Sequence, residues 1–362
     1  MNNKIIPTVI LAVATILLLQ NCKSQQTNVT EQISIDSVNF ERGDFRAMFY
    51  NCENLFDTFD DTLKNDDEFL PDGAKFWSLH KYYEKLSNIS KVITAVGGWE
   101  PPEIVGLCEI ENQYVLEGIT KQSPLKAFNY KIIHYESPDK RGIDVALLYQ
   151  PNKFKPIFTK KIRIDFPGEP DHKTRDILYV VGTTTKKDTL HVFVNHWPSR
   201  WGGMLESEDS RIYVASVLRH NVDSIFNVNS HAKILIMGDL NDFPDNKSVL
   251  ETLNTLHDFS DIKSNELHNL SYYLQFEKGK FSHRYQGEAG VLDQMIVSGA
   301  LLDSTANFYT TKEDAHIYDA DFLLEKEENF IGYKPYRTYI GYKYHGGYSD
   351  HLPPYLDFHF KK

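Results

Sequence analysis

Residues 234–242 read Ile-Leu-Ile-Met-Gly-Asp-Leu-Asn-Asp. Four apolar residues in a row are too short for a helix, and their aliphatic, partly β-branched make-up predicts a strand at Ile234–Met237. The run then stops in a cluster of oxygen-bearing side chains, Asp239, Asn241 and Asp242. Loops at the ends of buried strands are where α/β folds place their chemistry.

The same arrangement recurs outward from this segment. Strands are predicted at Phe45–Tyr50, Ile104–Leu107, Tyr130–His134, Val145–Tyr149, Ile177–Gly182, Leu190–Val194, Leu292–Val297 and Tyr355–Phe358. Between them, Trp77–Val96 carries Tyr82, Leu86, Ile89 and Ile93 at helical spacing, and Ser210–Asn227 carries Tyr213, Val217, Leu218 and Ile225. Alternating strand and helix signals predict an α/β fold. No repeat is visible, and no linker divides the chain after residue 40.

Strand after strand ends in Asn, Asp, Glu or His. Asn51, Glu53 and Asn54 follow the first strand; Glu109, Glu111 and Asn112 follow the second; Arg141 and Asp144 precede a later one. Asn195-His196-Trp197 follows another, Asp293 lies in VLDQMIV, and Asp350-His351 precedes the last. An aspartate after one strand is ordinarily a turn residue or a cap, and Glu111 and Asp242 are expected to be solvated or capping neighbours. The joint pattern points further. Oxygen-rich clusters suit hard cations such as Mg²⁺, Mn²⁺ or Ca²⁺, and two histidines beside carboxylates suit acid–base work near neutral pH. Metal, base and acid together suit phosphoester hydrolysis. There is no nucleophile elbow and no Walker-type loop.

In order, Asn51, Glu109, His196, Gly238–Asn241 (Gly-Asp-Leu-Asn), Asp293 and Ser349–His351 (Ser-Asp-His) resemble the motifs of endonuclease/exonuclease/phosphatase proteins. The resemblance runs from about Phe45 to Phe358. It implies a four-layer α/β sandwich, two stacked mixed sheets flanked by helices, with the active site at one edge. It also implies one or two divalent ions, Mg²⁺ or else Mn²⁺ or Ca²⁺. Glu109 matches the principal metal-ligand glutamate, Asn51 the asparagine beside it, and Asp350 would complete or support that site. His351 would be the base, oriented by Asp293. Asp239 and Asn241 would position water and phosphate oxygens, and Asp239 could hold a second metal. His196 would stabilise the phosphorane or protonate the leaving group, with Asp144 as its expected partner. Arg141, Arg175 and Arg200 are candidate phosphate contacts. The chain departs from the pattern where Trp197-Pro198-Ser199-Arg200 follows His196 and where Gln294 follows Asp293; both bear on substrate.

Residues 1–21 have the layout of an export signal, with Lys4, an apolar run from Ile5 to Leu19 and a processing site. Cys22 then resembles a lipobox cysteine, so a lipid-anchored or extracellular protein is expected, touching the membrane through that lipid alone. Residues 22–40 read as a tether and 41–362 as one domain. Cys52 and Cys108 sit in apolar runs and are expected to be buried, small residues.

The formal net charge of −11 is unfavourable for gripping nucleic acid by blanket electrostatics. Tyr285–Asp293 and the Asn-His of the Leu190 strand nevertheless look most like secreted bacterial nucleases. DNA or RNA is therefore the expected substrate, and a small, inositol or lipid phosphoester the alternative. A non-catalytic binding lipoprotein is a third reading, disfavoured because Glu109, Asp293 and His351 are all present. A monomer is expected. The stretches Trp197–Asp209 and Thr310–Tyr344 are long and poorly patterned, as substrate-facing loops or surface insertions are.

Overall fold

Every predicted strand is present in the computed structural model, which describes residues 42–200 and 203–362. The expected signal peptide, Cys22 and the tether lie outside the described residues. The strands are β1 (Phe45–Leu55), β2 (Ile104–Ile110), β3 (Lys131–His134), β4 (Asp144–Tyr149), β5 (Phe154–Ile162), β6 (Ile177–Thr184), β7 (Thr189–His196) and β8 (Ile234–Asp239). There follow β9 (Thr255–Leu256), β10 (Leu267–Asn269), β11 (His283–Tyr285), β12 (Glu288–Gly290), β13 (Asp293–Ser298), β14 (Phe308–Tyr309) and β15 (Ala315–Ile317). The set ends with β16 (Leu324–Lys326), β17 (Tyr333–Pro335), β18 (Tyr339–Ile340), β19 (Lys343–Tyr344) and β20 (Pro354–Phe360). One sheet runs β14-β20-β1-β2-β4-β3, with β15 also on β20; the other runs β5-β6-β7-β8-β13-β10-β9.

Both sheets follow one plan. β1 and β2 are parallel, flanked by antiparallel β20 and β4; β7 and β8 are parallel, flanked by antiparallel β6 and β13. Parallel neighbours need a long crossover. Helix α1 (Leu79–Gly97) lies in the first crossover; after the short α2 (Gln113–Glu117), α3 (Glu208–Val228) lies in the second. Each parallel pair therefore delivers two carboxyl ends to one edge, and its antiparallel neighbours deliver amino ends to the same edge.

Alternation along the strands sorts side chains into layers. Leu235 and Met237 join Val105, Leu107 and Leu148 in one core cluster, while Ile234 and Ile236 join Val214, Leu218 and Val222 of α3 in another. Tyr82, Leu86, Ile89 and Ile93 of α1 pack on β1 and β2, as their spacing predicts. Helix, sheet, sheet and helix make the four layers. The sheets approach closely at Gly106, where a Cβ would stand 2.8 Å from Met237 Cε. Each fully buried Leu, Ile or Met of these layers contributes about 1.5–3 kcal/mol.

Two readings are corrected. On α3 only Leu218 of the four named residues is fully buried; Val214, Ala215, Val222 and Phe226 complete the face, and Tyr213, Val217 and Ile225 flank it. The stripe is rotated by about one residue, or about 100°. β5 escaped prediction because Lys155, Pro156, Lys160 and Lys161 break its apolar pattern. Those are the residues that protect an edge strand from further pairing, and β5 is an edge.

Candidate active site

The strand registers bring the polar clusters together. His196 is opposite Asp239, Asp239 is opposite Asp293, and Asn51 is opposite Cys108, next to Glu109. The two sheets meet at this edge through Asn51, whose Nδ2 donates to Asp239 Oδ2 at 3.0 Å and approaches Glu109 Oε1 at 3.4 Å. Gly238 lets β7 and β8 close up, since a Cβ there would lie 2.4 Å from the Asn195 carbonyl oxygen.

Glu109 is presented by irregular backbone. β2 shifts register between Cys108 and Ile110, and Glu109 has φ 56°, as Glu53 (49°), Asn54 (59°) and Asn241 (51°) are also left-handed. Each such residue costs roughly 1–3 kcal/mol and persists only where its surroundings over-determine it. Here Asn54 N donates to Glu109 Oε2 at 2.8 Å, and Asn241 N donates to Asp239 Oδ1 at 2.9 Å.

His351 Nδ1 lies 2.6 Å from Asp293 Oδ2, leaving Nε2 turned toward Asp239 Oδ2 at 3.9 Å and Asp350 Oδ1 at 4.0 Å. Ser349 Oγ donates to the Asn51 carbonyl (2.7 Å) and accepts from His351 N (3.1 Å), tying the terminal Ser-Asp-His to β1. Ser282 Oγ accepts from the backbone of Leu292 and Asp293, each at 3.0 Å. Burial opposes charge on His351, but Asp293 and then Asp239 outweigh it and hold its proton well above the histidine range. Burial, with Asp293 adding to it, pushes Asp239 up to about 6.

His196 is buried, its Nε2 3.8 Å from Asp239 and 3.9 Å from Glu109. Burial first, then the Arg175, Arg141 and His351 charges, hold it well below the usual range, so the ring is neutral. Its expected partner is corrected: Asp144 instead binds His134 Nε2 at 2.9 Å and accepts from Ser137. Of the arginines, Arg141 and Arg200 line the cavity with Glu109, His196, Asp239, Asn241, Asp350 and His351. Arg200 donates to the Asn241 carbonyl at 2.7 Å and stacks over Phe243 at 4.3 Å. Arg175 is not in that lining; it is buried, bound to Asp139 at 3.2 Å and to the Trp197 carbonyl. Glu111 and Asp242 are buried rather than solvated: Glu111 accepts from Asp57 N (2.5 Å), and Asp242 pairs with Arg211 (2.7 Å). Gln294 bridges Asn269 (2.7 Å) and the Asp242 carbonyl (2.6 Å) and so is structural.

Sequence reasoning missed the charges beneath this edge. Arg337, from the Thr310–Tyr344 stretch, donates to Asp350 Oδ2 (2.9 Å) and Glu53 Oε1 (3.2 Å). Lys85, buried on α1, donates to Thr338 Oγ1 and to the Tyr348 carbonyl. Burial would raise Asp350, but Arg337, then His351, His283 and Lys85, bring it down to about 2. A lysine in the apolar stripe of α1 was the one available signal; nothing local marks Arg337. The exposed ring of Tyr285, which opens the nuclease-like Tyr285–Asp293 stretch, also lines the cavity, as does His283, which was not singled out.

Glu109, Asp239 and Asp350, with Asn51 beside them, are hard oxygen donors facing one cavity, and they fit a divalent cation of the Mg²⁺ or Ca²⁺ kind. A family model described as "Endonuclease/Exonuclease/phosphatase family" matches residues 47–360. No curated protein matches the chain. Among solved structures, the endonuclease/exonuclease/phosphatase from Bacteroides vulgatus is 11% identical, with TM-score 0.52 over 88% of this chain and 99% of that one. The Bacteroides thetaiotaomicron mannosyl-6-phosphatase Bt3783 is 12% identical, with TM-score 0.51 over 87% and 100%. D. rerio TDP2, solved with a single-strand DNA product, is 16% identical, with TM-score 0.50 over 87% and 98%.

Proposed function

This chain belongs to the endonuclease/exonuclease/phosphatase family of metal-dependent phosphoesterases, and we propose that it is a nuclease or phosphodiesterase in which His351 activates the attacking water. The observation that carries the diester reading is an open cavity of about 310 Å³ that continues past the carboxylates. Its lining includes Phe243, under Arg200, and Tyr285, and Tyr285 also lines a second cavity of about 310 Å³ with Arg284, Phe330 and Asp350. A diester has groups on both sides of its phosphorus, and the half-buried ring of Phe243 and the exposed ring of Tyr285 in the same lining suit stacking on bases of a single strand. The D. rerio neighbour was solved with a single-strand DNA product, which is consistent with that class.

Asp293 accepts from His351 Nδ1 and so turns Nε2 toward the cavity, where, once it has given up its own proton, its lone pair takes a proton from water. His196, held neutral, donates a hydrogen bond from Nε2 to a phosphoryl oxygen rather than acting as an acid. Asn241, Arg200 and Arg141 line the position of that phosphoryl group. Glu109 and Asp350 would hold a divalent cation, which when bound would supply Lewis-acid stabilisation of the charge that builds there. The N-terminal segment supports an exported protein anchored by lipid at Cys22.

A second reading, a phosphatase for small phosphoesters, is favoured by the net charge of −11, which weakens binding to duplex DNA. The test compares single-stranded DNA, duplex DNA, RNA, bis-p-nitrophenyl phosphate and p-nitrophenyl phosphate. Each is incubated with Mg²⁺, Mn²⁺, Ca²⁺ or EDTA, and with His351→Ala as control. Polynucleotide cleavage that needs metal and disappears in the variant is the expected result. Release from the monoester alone would replace it with the phosphatase reading.

A further inference from the structure

The cavity holds a third histidine that the proposed chemistry does not use. His283 opens β11 and forms an isolated antiparallel bridge with His351, their rings 4.8 Å apart and tilted by 42°. One ligating atom from each of His283, Asp350 and His351 lies within 4.8 Å of the others. Each residue has an atom to give. His351 spends Nδ1 on Asp293 and keeps Nε2. Asp350 gives Oδ2 to Arg337 and keeps Oδ1, 4.0 Å from that Nε2. Among the described residues no side chain hydrogen-bonds the His283 ring.

Two imidazoles and one carboxylate are a different donor set from the oxygens around Glu109, with Asp350 the one residue common to both. Imidazole nitrogen favours Zn²⁺, Co²⁺, Ni²⁺ and Cu²⁺, whereas Mg²⁺ keeps to oxygen. Three such donors with a position left open are the usual protein share of a zinc site. Ligands of tetrahedral zinc stand about 3.3 Å apart, given bonds of about 2.0–2.1 Å. The 4.0 Å between His351 Nε2 and Asp350 Oδ1 is thus closed by a shift of a few tenths of an ångström on each side. We infer that His283, Asp350 and His351 form a binding site for a Zn²⁺-class transition metal, and that its occupancy switches hydrolysis off. The second half rests on the reading of His351 as base: an Nε2 lone pair committed to a metal cannot take a proton from water.

The experiment titrates Zn²⁺ by calorimetry and Co²⁺ by visible absorption into the full chain, with Mg²⁺ in excess. Wild type, His283→Ala and His283→Gln are compared. Wild type should take one equivalent with a nitrogen-ligated Co²⁺ spectrum, and the variants should bind at least about tenfold more weakly, the lower end of the loss from deleting even an outer-shell partner. With each protein's Mg²⁺-only rate as its own reference, Zn²⁺ at the wild-type dissociation constant should halve the wild-type rate and spare the variants. Equal Zn²⁺ affinity in wild type and in either folded variant overturns the site. A wild-type rate indifferent to bound Zn²⁺ overturns the inhibition. Absence of all hydrolysis would count against the proposed function only, because the titrations read the site without turnover.

Discussion

Asp293 Oδ2 and His351 Nδ1 are 2.6 Å apart across two strands of different sheets, β13 and the entry to β20. This contact fixes which imidazole nitrogen faces the cavity. Asp293→Asn would turn the ionic contact into a neutral one and return His351 toward the ordinary histidine range from above. The rate should fall at least about 100-fold, the lower range of a general-base contribution. The measurement is a pH–rate profile of wild type and variant. An unchanged rate and profile would remove Asp293 from the chemistry.

Glu109 is the carboxylate on the strained bulge, and the proposed cation should depend on it. Mg²⁺ or Mn²⁺ that binds only the folded protein raises its stability by mass action, about 2.7 kcal/mol when free metal is about 100-fold above the dissociation constant. Wild type should show this rise in urea midpoint on metal addition, reversed by EDTA, and Glu109→Gln should not. A variant stabilised as much as wild type would place the cation elsewhere.

Removing Arg337 leaves Asp350 and Glu53 without the guanidinium that both contact. The side chain is about one-third exposed, so solvent screens part of the loss. Arg337→Ala should cost about 1–3 kcal/mol in urea unfolding, below the roughly 3–5 kcal/mol of a fully buried pair. Arg337→Lys should recover only part of that, because an ammonium cannot hold both carboxylates in the same fork.

His191 lies on the outer face of the second sheet, its Nδ1 2.7 Å from Tyr179 Oη, and burial lowers its pKa below 6.5. The folded state therefore keeps it neutral where the unfolded chain already binds a proton. Its contribution is present above about pH 6.5 and is lost as pH falls toward the folded value, at no more than about 1.4 kcal/mol per pH unit. His191→Gln should shrink the drop in urea midpoint between about pH 7.5 and about pH 5.5. An equal drop in both proteins would assign the acid sensitivity to other groups.

The sequence made the strands legible because their side chains are buried and apolar, and it marked the site because each chemical residue stands at a strand end. Asn51, Glu109, Asp239 and His351 could be placed without a structure for that reason. Partnerships were harder to read. Asp144 and Arg175 both lie near the site in sequence pattern, yet they spend their charges on His134 and Asp139. Only the three-dimensional register decides which neighbour a buried charge meets. Lys85 and Arg337 are 252 residues apart and converge on one loop, a relation no local spacing encodes. β5 shows the opposite failure: its protective lysines and proline are themselves what disguised it.

The close approach of the sheets at Gly106 works as a ruler for the whole edge. One sheet carries Asn51 and Glu109 and the other His196 and Asp239, so the width of the reacting space is the thickness of the apolar filling between them. A single methyl added at Gly106 would act as a wedge against Met237, and its effect would be felt as a widened gap between residues it never touches. Fidelity of the chemistry here depends on how thin the greasy middle is kept.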